Sequence, residues 1–247
     1  MKGVITAAGL GTRSGLDGKL RKEMLPVYDT RDGHLVLRPI LDVIITDFTR
    51  NGITDIAVVL DPNDKWTREY LESNFPDVTI LFQEEKRGYG NAVLMARDFV
   101  GKDDFILNAG DGLVLKEQVL RKMVSGIDKS IQLTLIPVPN PQNYGCPEIL
   151  GDEVPLKITG VIEKPESPPS NYGLCALYRL PNEVFDEINA DEKNVELTPA
   201  IDRVIKKGIR TYGEIIDRKD WISVGKAESY VDVLKATLEK ARKKVTS

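Results

Sequence analysis

Apolar runs of strand length alternate with amphipathic helical segments along the first half of this chain, and that alternation narrows the available folds more than any other feature. After a first strand ending near Ala7, residues 55–60, 78–83 and 105–109 read as strands. Ile40, Leu41, Ile44, Ile45 and Phe48 recur at helical spacing before Gly52 ends the segment, and 64–74 and 91–100 read as further helices. Strands separated by helices of this length predict a mostly parallel sheet flanked by helices, an α/β fold with ligands at the carboxyl ends of the strands.

Two stretches depart from the alternation. Residues 26–39 read as a hairpin around Thr30-Arg31-Asp32-Gly33. Beyond a helix over 116–127 and a strand over 131–138, turn residues dominate 139–171, around short strand candidates at 148–150 and 156–163. The sheet is therefore expected to gain antiparallel strands there. A strand over 172–180 follows, then a helix near 183–188. Thr198-Pro199 supplies an N-cap and first-turn pair for a helix to Lys207. Short strands at 210–216 and 221–224 precede a terminal helix over 227–243. No repeat, low-complexity tract or domain-splitting linker is evident, so one continuous domain over 1–247 is predicted.

Of 247 residues, 34 are Lys or Arg and 38 Asp or Glu, a formal net charge of -4 with the signs interspersed. That pattern gives no nucleic-acid footprint. The basic cluster at 240–244 reads as a solvated helix end. Cys146 and Cys175 are too few for a disulfide framework. The chain opens on a strand without a signal core and has no apolar stretch of membrane-spanning length, so a cytoplasmic protein without a membrane partner is expected. His34, the sole histidine, follows a polar turn and reads as a surface residue, which disfavours a Ser-His-Asp hydrolase or a histidine-rich metal centre.

The chemistry-bearing residues begin where the first strand breaks into Ala8-Gly9-Leu10-Gly11-Thr12-Arg13, followed by Arg21-Lys22-Glu23-Met24-Leu25-Pro26. Glycines that expose the backbone, with separated cationic side chains, suit a phosphate chain. The segment is neither a dinucleotide fingerprint, which would need glycine at Ser14, nor a P-loop, which would need glycine at Arg13 and a hydroxyl residue at Leu20. The strand ending in Asn108-Ala109 delivers Gly110-Asp111-Gly112. An aspartate there is ordinarily a turn or cap residue, but beside a phosphate loop it is also a candidate for Mg²⁺ held by one or two carboxylates and phosphate oxygens. Gln83 is a polar strand end or, with Gly88, a reader of the imide edge of uracil or thymine. Glu163 and Lys164 form a surface ion pair, or serve one ligand if Pro165 breaks the extended geometry.

Taken in order, GLGTR at 9–13, KEMLP at 22–26, Gln83, Gly88, GD at 110–111, YG at 144–145, EKP at 163–165 and ELT at 196–198 resemble the sugar-phosphate nucleotidylyltransferases of the glucose-1-phosphate uridylyl- and thymidylyltransferase type. The resemblance covers nearly the whole chain. It implies a Rossmann-like nucleotidyltransferase fold, mainly nucleotide-binding over 1–138 and mainly sugar-phosphate-binding, with a small β-rich part, over 139–226. By the resemblance, Ala8, Gly9, Leu10, Gly11, Thr12, Gln83 and Gly88 hold the nucleotide. Arg13, Lys22, Asp111 and Lys164 carry the reaction, with Asp111 on Mg²⁺. Asn108, Gly145, Glu163, Lys164, Asn171 and Tyr178 hold the sugar and its phosphate. The implied partners are a nucleoside triphosphate and a sugar 1-phosphate.

Three departures from the family pattern stand out. Trp221-Ile222-Ser223-Val224-Gly225 has serine where an aspartate usually helps bind the metal. Either Asp111 suffices with phosphates and water, or Asp220 or Asp202 substitutes, or turnover is weak and the chain is a nucleotide-binding regulator. Arg21 replaces a usual proline and is expected to loosen or recharge its loop. Residues 30–37 lengthen a normally tight connection, altering substrate access or homo-oligomer contacts. A nucleotide-sugar glycosyltransferase ranks last, because Asp111-Gly112-Leu113 lacks the second acid of an Asp-x-Asp motif.

Overall fold

The structure is a computed structural model that describes residues 1–9, 11, 16, 20–225 and 227–246. Its elements run β1 (Lys2–Ala7), β2 (Pro26–Arg31), β3 (His34–Pro39), α1 (Ile40–Arg50), β4 (Ile56–Leu60), α2 (Lys65–Asn74) and β5 (Thr79–Phe82). Then come α3 (Tyr89–Leu94), α4 (Arg97–Val100), β6 (Phe105–Ala109), β7 (Gly112–Val114), α5 (Glu117–Val124) and β8 (Ile131–Pro137). The rest comprises β9 (Gly145–Leu150), β10 (Leu156–Glu163), β11 (Tyr172–Leu180), α6 (Val184–Glu187), α7 (Thr198–Lys206), β12 (Thr211–Ile215), β13 (Trp221–Ser223) and α8 (Ser229–Thr246).

A nine-stranded sheet has the order β5-β4-β1-β6-β11-β8-β12-β10-β9. Strands β5, β4, β1 and β6 are parallel. The antiparallel strands expected within 139–171 are β9 and β10, paired with each other; β11, beyond that stretch, is also antiparallel to β6 and β8. The first three parallel strands build outward from β1 in one direction; β6 then lies on the other flank of β1. That reversal opens a crevice at the carboxyl ends of β1 and β6, the place where such sheets bind ligands.

Alternating side chains feed two core layers. Val4, Phe105 and Leu107 face the helices α3, α4, α6 and α7, with Phe105 stacked on Phe185 at 5.1 Å. Ile5, Val58 and Ile106 face α1, α2, α5 and α8. Each fully buried Val, Ile or Leu contributes about 1.5–3 kcal/mol relative to exposure.

Several local expectations are revised. The helix expected over 91–100 starts earlier, at Tyr89, and is interrupted at Met95-Ala96. Thr198 is the first helical residue rather than the N-cap; Leu197 occupies the cap, where its apolar side chain can make no capping bond, and the Thr198 hydroxyl is directed to Glu163. Strands β7 and β13, three residues each, form a separate ladder in which Ser223 lies opposite Gly112. The basic end of α8 is not simply solvated: Lys240 and Lys244 both pair with Glu117. The 26–39 hairpin forms as expected and is held to α8, with the Tyr230 hydroxyl donating to the Pro26 carbonyl at 2.5 Å. No helix among the described residues is long and apolar enough to cross a membrane.

Candidate functional site

The turn after β6 is seated on β1: the Gly110 N–H donates to the Thr6 carbonyl at 2.9 Å. A Cβ at Gly110 would stand 3.0 Å from that oxygen and 3.1 Å from Glu23 Cγ, and one at Gly112 would overlap the Trp221 ring. The two glycines therefore admit close neighbours, Glu23 on one side and an indole on the other. Asp111 between them forms an ion pair with Lys22, which projects from a 3₁₀ turn over Lys22–Met24.

Arg21 does the opposite of loosening its loop. It is buried, donates to the Gly9 carbonyl at 2.9 Å, and pairs with Asp61 at 2.9 Å and Asp64 at 3.4 Å. Lys86 reaches the same place from the strand β5 side, donating to the Ala8 carbonyl at 2.7 Å and pairing with Asp61 at 2.8 Å. Burial tends to raise the Asp61 carboxyl. The hydrogen bonds from Lys86, the Asn63 N–H and Arg21 outweigh it and pull the group down to about 2. The glycine-rich turn is thus fastened by charges drawn from two other loops.

Glu23 is only 2 % exposed and lines the cleft. Burial pushes its carboxyl up to about 7, opposed by Lys22 and reinforced by Asp111. Among the described residues its Oε2 has no hydrogen-bond partner.

Gln83 caps the end of β5, its N–H donating to the Leu60 carbonyl at 2.9 Å. Its side-chain amide donates to Gly88 O at 3.1 Å and Asn91 Oδ1 at 2.9 Å. Recognition of a bound group is left to its carbonyl oxygen, an acceptor matched to an imide N–H. Gly88 has φ +106°, and a Cβ there would lie 2.6 Å from the Val195 carbonyl, so glycine is required on both counts.

On the opposite wall, Gly145 pairs with Glu163 across β9 and β10, and a Cβ at 145 would press on Leu174 and Thr198. Lys164 has φ +42°, so the chain leaves the strand geometry and neighbouring side chains meet: Lys164 Nζ lies 2.6 Å from Glu163 Oε1. Glu163 Oε2 accepts from the Thr198 hydroxyl at 2.6 Å, and Glu196 lies 4.0 Å from Lys164. Tyr178, Ala176 and Leu174 alternate along β11 to form the floor.

These residues enclose a cleft of about 560 Å³ with Ala8, Gly9, Gly11, Lys22, Gln83, Gly88, Asp111, Gly145, Glu163 and Tyr178 among its walls, and Lys164 at its rim through Glu163. Leu10, Thr12 and Arg13 lie outside the described residues. Two expected members are not brought to it. Asn108 points to the other sheet face and donates to the Ala109 and Gly112 carbonyls, so it shapes the Asp111 turn. Asn171 is exposed, its carbonyl accepting from the Val138 N–H.

Asp220 and Asp202 do not stand in at the cleft. Asp220 lies at the far end of the β7–β13 ladder, its carbonyl accepting from Leu115, and Asp202 is taken by the Val161 N–H and Lys206. Among the described residues there is no group of three or more acids, histidines or cysteines placed to hold a metal. Sequence reasoning missed Glu23, Lys86, Glu196 and Thr198 as wall residues. Glu23, Glu196 and Thr198 sat inside quoted motifs, whereas Lys86 lies in a charged run that reads as solvated surface.

A family model described as nucleotidyl transferase matches residues 2–240. The low-salt glycan biosynthesis nucleotidyltransferase Agl11 of Haloferax volcanii is 30% identical, over 97% of this chain and 66% of that protein. The bifunctional protein GlmU of Methanococcus maripaludis is 30% identical over 84% of this chain and 48% of its own length. The chain thus spans less than two thirds of either relative. A UTP–glucose-1-phosphate uridylyltransferase of Streptococcus pneumoniae serotype 4 is 28% identical over 83% of this chain and 80% of that protein. A crystal structure of a UDP-glucose pyrophosphorylase complexed with UDP-glucose superposes with a TM-score of 0.79 at 22% identity, covering 97% of this chain and 98% of that one. The enzyme of the same name from Acinetobacter baumanii gives 0.74 at 24% identity, covering 96% and 92%. Both share the mixed α/β sheet with flanking helices.

Proposed function

The chain belongs to the nucleotidyl transferase family, and from that premise we propose that it transfers a nucleoside monophosphate from UTP or dTTP to a hexose 1-phosphate, glucose 1-phosphate being the first candidate, releasing pyrophosphate. The single observation that carries this reading is that Lys22, Asp111, Gln83 and Glu163, up to 141 positions apart in the chain, line one cleft at the sheet's switch point.

In this reading the base lies near Gln83 and Gly88, where the Gln83 carbonyl accepts an imide N–H. The phosphates run along the backbone of Ala8 to Gly11 toward Lys22. The sugar hydroxyls meet Glu163, oriented by Thr198, and the sugar phosphate meets Lys164. A phosphate oxygen of the sugar 1-phosphate attacks the α-phosphorus in line; the bond to the bridging oxygen breaks and its electron pair leaves with pyrophosphate. No covalent enzyme intermediate is required, so positioning and charge neutralisation supply the rate. Asp111 is a carboxylate in the cleft beside a cationic side chain, which fits Mg²⁺ held jointly with phosphate oxygens. When bound, that ion would neutralise charge on the triphosphate. A nucleoside triphosphate substrate fits a cytoplasmic setting.

The test is a panel of nucleoside triphosphates against sugar 1-phosphates with Mg²⁺, scored by pyrophosphate formation. Release with UTP or dTTP and a hexose 1-phosphate supports transfer. Calorimetric binding without release over hours, with Mg²⁺ or Mn²⁺ present, favours the regulatory alternative that Ser223 motivates. Binding of neither substrate rejects both.

A further inference from the structure

The buried carboxylate of Glu23 has no role in the reading above, yet it sits in the same cleft. Among the described residues its Oε2 is without a hydrogen-bond partner, and the residue is 2 % exposed. A buried carboxylate oxygen without a partner is costly, so such groups are paired, neutralised or coordinate a metal. Gly110 leaves room for it: a Cβ at that position would meet Glu23 Cγ at 3.1 Å, so Glu23 runs alongside the residue that precedes Asp111.

The nearby cation is Lys22, and its ammonium is engaged with Asp111. One ammonium thus stands beside two carboxyl groups. Phosphates entering along the glycine-rich turn would compete for Lys22. Asp111 and Glu23 would then share the end of the cleft. A site with two carboxylates, completed by phosphate oxygens and water, is the donor set that Mg²⁺ prefers to an all-protein cage. Ser223, opposite Gly112 across the ladder, supplies a hydroxyl rather than a carboxylate.

We propose that Glu23 and Asp111 together form the divalent-cation site of this chain, with Lys22 holding the place of the cation until phosphates draw it away. The proposal rests on the nucleotidyl-transfer reading and adds a ligand that the resemblance does not assign.

The test is Mn²⁺ titration followed by electron paramagnetic resonance, with wild type and Glu23→Gln each in the presence of an α,β-methylene analogue of UTP or dTTP. The near-isosteric variant keeps the packing against Gly110, and circular dichroism checks its fold. Loss of a metal ligand should weaken Mn²⁺ affinity by about 10-fold or more, and Glu23→Asp should restore part of it. In wild type carrying ¹³C-carboxyl glutamate, electron–nuclear double resonance should show a directly bound carboxylate carbon. That measurement decides the matter by itself if the variant does not fold. Equal Mn²⁺ affinities within about 2-fold, or no glutamate carbon coupled to the ion, overturn the proposal. Calorimetry of the analogue with Mg²⁺ present separates the two readings. If the analogue does not bind wild type, the transfer reading falls, and this one with it. If analogue and Mn²⁺ both bind but Glu23→Gln changes nothing, only the Glu23 assignment falls.

Discussion

The two walls of the cleft are organised by different physics. The wall proposed to take the nucleotide, at the ends of β1, β4 and β6, is fixed by buried charge: Arg21 and Lys86 converge on Asp61 and each also holds a backbone carbonyl of the Ala8-Gly9 turn. The wall proposed to take the sugar is fixed by close backbone approach at Gly145 and by one left-handed residue, while its cation Lys164 is 56 % exposed. A wall braced by buried ion pairs presents a rigid, pre-set surface to a highly charged ligand. A wall with its charge at a solvated rim can accommodate sugars that differ by a hydroxyl. The comparison predicts that substitutions on the first wall damage chemistry and stability together, whereas those on the second change substrate preference alone.

The largest expected effect tests the first half of that contrast. Lys22→Ala and Asp111→Ala should each lower turnover by at least about 100-fold, the scale for removing one positioned charge from a transition state; steady-state pyrophosphate release measures it, and near-normal rates in both would remove these residues from the reaction. Arg21→Ala comes next. It leaves Asp64 and the Gly9 carbonyl short of a partner while Asp61 retains Lys86, so urea unfolding should show a loss of about 1–3 kcal/mol, accompanied by weaker nucleotide binding. Lys164→Ala should raise KM for the sugar 1-phosphate by about 10-fold, with the KM for the nucleotide unchanged and stability altered by less than about 1 kcal/mol, as for other exposed pairs. A matching loss of nucleotide affinity would erase the distinction between the walls.

The smallest effect is a pH dependence. The Asp61 carboxyl is held at about 2, below its ordinary 3.8, so the folded state binds its proton less readily than the unfolded chain does. Its stabilising contribution is complete above the ordinary value and is lost as pH falls from about 4 through about 2. Asp61→Asn should flatten that segment of the stability curve in denaturant titrations at stepped pH. An unchanged acid limb would show that the network does not depend on this charge.

Much of the scaffold was legible because its signals are local. Strands β6, β10 and β11 match their apolar runs residue for residue, each bounded by turn formers. The hairpin turn at Asp32-Gly33 was equally explicit. What escaped notice depends on distant partners. The break at Met95-Ala96 interrupts a pattern whose apolar periodicity continues through it. Strands β7 and β13 are too short to show a period, and exist because each pairs with the other across more than a hundred residues. Arg21 reads as loop-loosening until Asp61 and Asp64 arrive from the end of β4. Asn108 reads as a ligand-facing strand end, but the alternation along β6 sends it to the opposite face from Leu107. The motif order along the chain identified which loops converge; how the glycines beside Asp111 are used was not written in it.

The indole packed on Gly112 has a practical consequence. Of the two tryptophans in the chain, Trp66 stands 69 % exposed on α2, while Trp221 touches the turn that carries Asp111. Any rearrangement of that turn on cation capture alters the surroundings of one fluorophore and leaves the other as a constant background. The protein therefore carries an intrinsic optical reporter one residue from its candidate acid, readable without label or mutation.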